Sequence, residues 1–172
     1  MAIITEIDLT GGPYDSTGIV DTVNGFPVGD KAVTSAFVAS MIKSLVTDGV
    51  VDTGNGELSV VPAGGLSVKV KPGVAWVQGY MARLEGELTL DLSSGHEYTV
   101  FLRQNYGLGE CSVGVFEDND GNIPVRFYGV YDIVLAKITI PAGALTVNEA
   151  MITDMRSDSS LCGFVTSKAR LS

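Results

Sequence analysis

The run LSVVPAGGLSVKVKPGVAWVQGY, from Leu58 to Tyr80, limits the possible folds more than any other part of the chain. Leu66, Val68 and Val70 alternate with Ser67, Lys69 and Lys71. Successive side chains on a strand point to opposite faces, so the alternation predicts a half-buried β-strand. Pro72-Gly73 then breaks the run. Proline withholds a backbone donor and glycine accepts positive φ, so the pair predicts a tight turn into a second strand over residues 74–77, closing a hairpin. That second strand carries Trp76, the only tryptophan. A lone tryptophan in a hairpin is expected in the core, although the same ring could stack on a sugar.

The remaining chain extends the β pattern. Twenty-one glycines and six prolines are spread along 172 residues, which suits many turns between short strands. Leu88, Leu90 and Leu92 alternate with polar residues, and Tyr98, Val100 and Leu102 share one face of a strand over 97–104. A strand over 111–117 and another beginning near Val125 follow. The most apolar strand runs from Tyr131 to Ile140, with Val134, Ala136, Ile138 and Ile140 on one face and Ile133 and Leu135 on the other. Apolar residues on both faces imply a central strand or a protein interface. One helix is predicted, over residues 30–48, capped by Asp30 and stopped by Gly49. Phe37, Met41 and Leu45 lie on its apolar stripe, and Val38, Ile42 and Val46 widen it. So broad a stripe is either core packing alone or a surface shared with the sheet and another chain. The expected fold is mainly β: an antiparallel sandwich or open barrel of short strands with one N-terminal helix packed against it. Residues 1–29 read as an extended arm, 30–166 as one domain with its sandwich over 57–166, and 167–172 as a tail.

Composition narrows the function. Hydrophobic residues make up 45% and charged residues 18%, enough apolar content for a folded core. The formal net charge of −9 repels a phosphate backbone, so no nucleic-acid partner is expected. No apolar run approaches the roughly 20 residues of a spanning helix, and the N-terminus lacks a basic leader, so no membrane is expected and the protein reads as cytoplasmic. Cys111 and Cys162 have neither a metal-ligand spacing nor a disulfide framework, and Cys111 reads as a small core residue; a bridge between the two is the alternative. Asp118, Asp120 and Asn122 echo the opening of a calcium loop, but Gly129 stands where the distal glutamate belongs, and a solvated turn explains them as well. His96, the only histidine, sits at a turn with no nucleophile motif beside it. Asp132 and Asp154 have no spacing that suggests a catalytic acid pair. Asp154 has a nearer partner in Arg156, because on extended backbone the two side chains share a face and can pair bidentately. No catalytic residue and no cofactor is expected.

Three blocks carry a resemblance: the helical run ending at Gly49-Val50, the segment AGGLSVKVKPGVAWVQGY with Pro72, Gly73, Trp76, Gly79 and Tyr80, and ITDMRSDSSLCGFVT from Ile152 to Thr166. In this order they resemble the N-terminal adaptor domain of upper baseplate and receptor-binding proteins of siphophages and related prophages of Gram-positive bacteria. The resemblance implies a structural part of a phage tail that attaches a receptor-binding or fibre component. It implies other tail proteins as partners, a homo-oligomer that is a trimer or ring-associated, and a place in the virion tail after assembly in the host cytoplasm. It also implies that Asp154, Arg156, Asp158 and Leu161, Cys162 and Gly163 close the domain where a stem begins. Residues 97–104 lack the arginine-aspartate pattern of the family's central strand. Relatives continue into a helical stem beyond the point matching Ser172, so a stand-alone or shortened adaptor is expected. The competing reading is a module that binds cell-surface polysaccharide through Trp76, Tyr80 or Tyr106.

Overall fold

The computed structural model describes residues 22–23, 26–27, 35–106, 108, 110–117, 124–127 and 129–168. Strands β1 (Thr22–Val23) and β2 (Phe26–Pro27) pair with each other, and the rest of the expected arm lies outside the described residues. Helix α1 (Ser35–Leu45) follows, and Asp30 with its expected cap lies outside the described residues. Then come β3 (Gly49–Val50), β4 (Val60–Gly64), β5 (Ser67–Val70), β6 (Gly73–Val77), β7 (Tyr80–Leu84) and β8 (Leu88–Asp91). The chain continues through β9 (Glu97–Asn105), β10 (Glu110–Glu117), β11 (Arg126–Phe127) and β12 (Val130–Thr139). After a 3₁₀ turn at Glu149–Met151 the last strand is β13 (Ile152–Asp154).

These strands form antiparallel sheets. One has the order β3-β6-β7 and a second the order β4-β5-β8. The largest has the order β10-β9-β12-β11, with β13 also pairing to β12. Val50, Ala75 and Val77 from the first sheet, Val60, Val68 and Val70 from the second, and Val100, Leu102 and Ile138 from the third belong to one buried cluster. Shared burial of this kind is what joins the faces of a β-sandwich. The protein is mainly β and its sheets are antiparallel, with a single helix and no closed barrel among the described residues.

The predicted hairpin at Pro72-Gly73 does not form. Strand β5 pairs with β4 and β8, whereas β6 pairs with β3 and β7, so Pro72-Gly73 carries the chain from one sheet to another. Gly73 serves close approach instead: a Cβ there would lie 2.8 Å from the backbone nitrogen of Leu58. The hairpin turn is one step further on, at Gln78-Gly79, where both residues have positive φ (53° and 84°), as a two-residue primed turn requires.

The central strand also differs from its prediction. Register shifts between Val100 and Phe101, which face Ala136 and Val134, leaving Leu135 as the extra residue of a bulge. A bulge reverses the alternation. Ile133 and Leu135 therefore join Ala136, Ile138 and Ile140 in the core cluster, while Val134 is buried outside it. The apolar residues expected on two faces largely share one.

Candidate functional site

Helix α1 ends at Leu45, earlier than its apolar periodicity suggested, because Val46 and Thr47 turn away to meet the C-terminal segment. Val46 bridges to Ser167, the Thr47 amide donates to the Thr166 carbonyl at 2.9 Å, and the Lys168 amide donates to the Leu45 carbonyl at 2.8 Å. Gly49 is not the helix stop. It lies in β3 at φ +140°, where a Cβ would come 2.3 Å from the Gly163 carbonyl oxygen. Gly79 has the same role on the other side: with φ +84°, its Cβ would sit 1.9 Å from the Ala39 carbonyl oxygen. The helix thus rests on the tip of the β6–β7 hairpin through backbone contact that only glycine permits. Lys43 bonds the Gln78 side chain, and the Asp48 carboxylate accepts from the Gln78 amide at 2.7 Å.

Close backbone seating leaves little of residues 38–45 buried. Ala39 is buried, Ile42 is half-buried, and Val38, Met41 and Leu45 are 40%, 45% and 53% exposed. Met41 and Leu45, expected to be covered, are therefore not taken up by the chain's own core. Phe37 lies in α1, with its side chain outside the described set.

The Ile152–Thr166 block is built around two arginines. Arg156 donates from Nη2 to Asp154 Oδ2 at 2.6 Å and from Nε to Oδ1 at 3.0 Å, the bidentate pair expected from the spacing. Its remaining nitrogen, Nη1, donates to the Glu57 carbonyl at 2.7 Å. That carbonyl belongs to the peptide preceding Leu58, which is fully buried at φ 53°. A left-handed leucine costs about 1–2 kcal/mol, and the Arg156 bond fixes the peptide that holds it. The guanidinium keeps the Asp154 carboxyl below its ordinary range, and the carboxylate raises Arg156 in turn. Asp158 accepts from the Ser160 hydroxyl at 2.6 Å and amide at 2.8 Å, bonds that favour its ionised form. Arg126 donates to the carbonyls of Ser160 and Leu161 at 2.7 and 2.6 Å, and the Leu161 carbonyl also accepts from the Val134 amide at 3.0 Å. Cys162 is buried, which pushes its thiol up to about 12. The Gly163 carbonyl accepts from the Val50 amide at 3.0 Å. An open cleft of about 480 Å³ runs beside this block, bordered by Thr47, Arg126, Tyr131, Phe164 and Lys168.

A second arginine–aspartate pair was not read from the sequence. Asp132 in β12 is fully buried and faces Arg103 in β9, with bonds of 2.7 and 2.8 Å to Nε and Nη2; the Val125 amide adds a third at 2.9 Å. The guanidinium lies over the stacked rings of Phe101 and Phe116, whose centroids are 4.1 Å apart. Gly114, opposite Phe101, leaves room for that ring. Residues 97–104 therefore do supply half of an arginine–aspartate pair, but its partner is on the neighbouring strand. Only the strand pairing reveals it.

The other candidates separate. Trp76 is half-buried on the face of β6 opposite Ala75 and Val77, not in the core cluster, because the strand's alternation gives the inner face to those smaller residues. Tyr80 and Tyr106 pack on each other with centroids 4.9 Å apart, and the Tyr106 hydroxyl donates to the Val77 carbonyl. Burial first, then the Asp48 carboxylate, raises the Tyr106 phenol well above its ordinary pKa. Cys111 is exposed at the sheet edge rather than buried, and it and Cys162 are free thiols. His96 faces Glu117 at 2.7 Å. Asp132 and Asp154 are each committed to an arginine. Asp118, Asp120 and Asn122 lie outside the described residues. No family model matches the chain, and no curated protein matches it.

Proposed function

We propose that this chain is a structural adaptor of a phage or prophage baseplate, made in the host cytoplasm and carried in the virion tail, joining a receptor-binding or fibre component to other tail proteins. The observation that carries the reading is the exposed stripe of Val38, Met41 and Leu45 on a helix fixed by its backbone. A rigid apolar surface outside the core is what an assembly interface needs. The three blocks that carry the family resemblance also meet here. Gly79 seats the helix, Gly49 and Gly163 cross, and Thr166 and Lys168 hold the helix end. No catalytic step or cofactor is part of this reading.

In this proposal copies of the chain bury the α1 stripes against one another. Light scattering coupled to size exclusion tests it with wild type and the double variant Met41→Glu, Leu45→Glu. The expected result is a defined wild-type oligomer and a monomeric variant that keeps the wild-type β-sheet circular dichroism, with a melting temperature lowered only by the lost association. A monomeric wild type, or a variant that keeps the wild-type mass, overturns it.

A further inference from the structure

We infer that the outer edge of β10 accepts an extended segment of a different protein, apolar in alternation and basic at its ends, as an added strand. This surface lies on an element the proposed assembly does not use. Among the described residues β10 pairs only with β9, although it is eight residues long. In such a strand half of the backbone N–H and C=O groups point away from the neighbour. Residues 111–116 make no backbone hydrogen bond outside the β9 ladder among the described residues. Sheets usually protect an edge with proline, lysine or a bulge. The sequence ECSVGVFE has neither residue, and its register with β9 runs without a break.

A groove adjoins this edge. Leu84, Leu88, Leu102 and Val113 line a space of about 90 Å³ with Arg83 and Cys111. Strand addition uses main-chain bonds for affinity and pockets for alternate side chains for specificity. Cys111, Val113 and Val115 share the face that turns towards the core, so the added strand must present apolar side chains on that face, one of them to the groove.

Charge selects the occupant. Glu110 and Glu117 are exposed at the two ends of β10; Glu117 already faces His96 at 2.7 Å, whereas Glu110 has no ion-pair partner among the described residues and is the stronger determinant. Opposite charges across a strand pair are favourable and like charges are not. A second copy of β10 in antiparallel register brings its own glutamates to these ends, on a chain of net charge −9. A segment with lysine or arginine at its ends is complementary.

Two eight-residue peptides matched to the length of β10, with valines opposite Cys111, Val113 and Val115 and threonines between them, one ended by lysines and one by glutamates, serve as probes. Backbone amide exchange measured by NMR, with peptide titrations, is the readout. The lysine-ended peptide is expected to slow exchange at alternate amides of residues 111–116 and to bind about tenfold more tightly than the other. Glu110→Lys should narrow that preference. Cys111→Lys, which removes no buried group and places a charge at the groove mouth, should abolish binding without lowering the melting temperature. Equal affinity for both peptides, or unchanged exchange at saturation, overturns the inference. So does concentration-dependent protection without peptide, which would give the edge to a second copy.

Discussion

Strand β12 and helix α1 both carry long apolar runs, and the fold places them in opposite ways. In β12 a one-residue bulge turns Ile133, Leu135, Ala136, Ile138 and Ile140 into the shared core, and the one buried charge, Asp132, is held by Arg103. In α1 contact is made through the Ala39 carbonyl against Gly79, and Val38, Met41 and Leu45 stay exposed. Hydrophobicity therefore does not by itself say what is buried. Backbone geometry decides: a bulge gathers side chains inward, whereas a glycine seat brings main chain to main chain and leaves the side chains outside.

The strongest way to break this contrast acts on β12. Arg103→Leu leaves the Asp132 carboxylate buried without its cation and should cost about 3–5 kcal/mol, read by urea denaturation. A loss below about 1 kcal/mol would mean that the pair is not what permits a charge in the central strand. Gly79→Val should cost less, about 1–3 kcal/mol, from a β-branched residue at positive φ and a clash with Ala39. Its distinguishing mark is local: amide exchange should accelerate across α1 while β9 and β12 stay protected. Uniform acceleration would show that helix and sandwich are one cooperative unit.

Asp154→Asn tests the surface half of the Arg156 clamp and should cost no more than about 1 kcal/mol, because the carboxylate is largely solvated. The folded-state pKa of Asp154 is depressed, so its contribution is present above the unfolded carboxyl value of about 3.9 and is lost as pH falls through the lower folded value. Wild type should therefore lose its advantage over the variant in acid. A constant difference down to pH 2 would contradict the pairing. The smallest effect on the isolated protomer belongs to Met41→Glu with Leu45→Glu, within about 0.5 kcal/mol per site, measured by thermal melting at concentrations low enough for wild type to be monomeric. A large destabilisation there would mean the stripe supports the fold itself.

Local alternation made the strands legible. The runs at Ser67–Val70, Leu88–Asp91 and Glu97–Asn105 follow from period-two patterning and that at Val130–Thr139 from its nearly unbroken apolar sequence, and the mainly β class follows from them. Pairing was not legible. Pro72-Gly73 shows that a strand ends but not which strand comes next to it, and nothing local in Val134-Leu135-Ala136 announces the bulge. The bidentate Asp154–Arg156 pair was readable because both partners lie on one short segment. Arg103 and Asp132 are far apart in sequence, and only the β9–β12 register brings them together. Gly49 and Gly73 depart from their local reading for the same reason: both answer to distant backbone, and a turn rule sees only neighbours.

The knot of bonds joining Thr166 and Lys168 to Thr47 and Leu45 has a mechanical consequence. A pull transmitted through residue 168 reaches the end of the helix before it reaches any sheet. If that helix is anchored among its copies, tension from the C-terminal side meets the anchor at the helix end first, and β3 only through the next bonds inward, from Val165 and Gly163 to Val50.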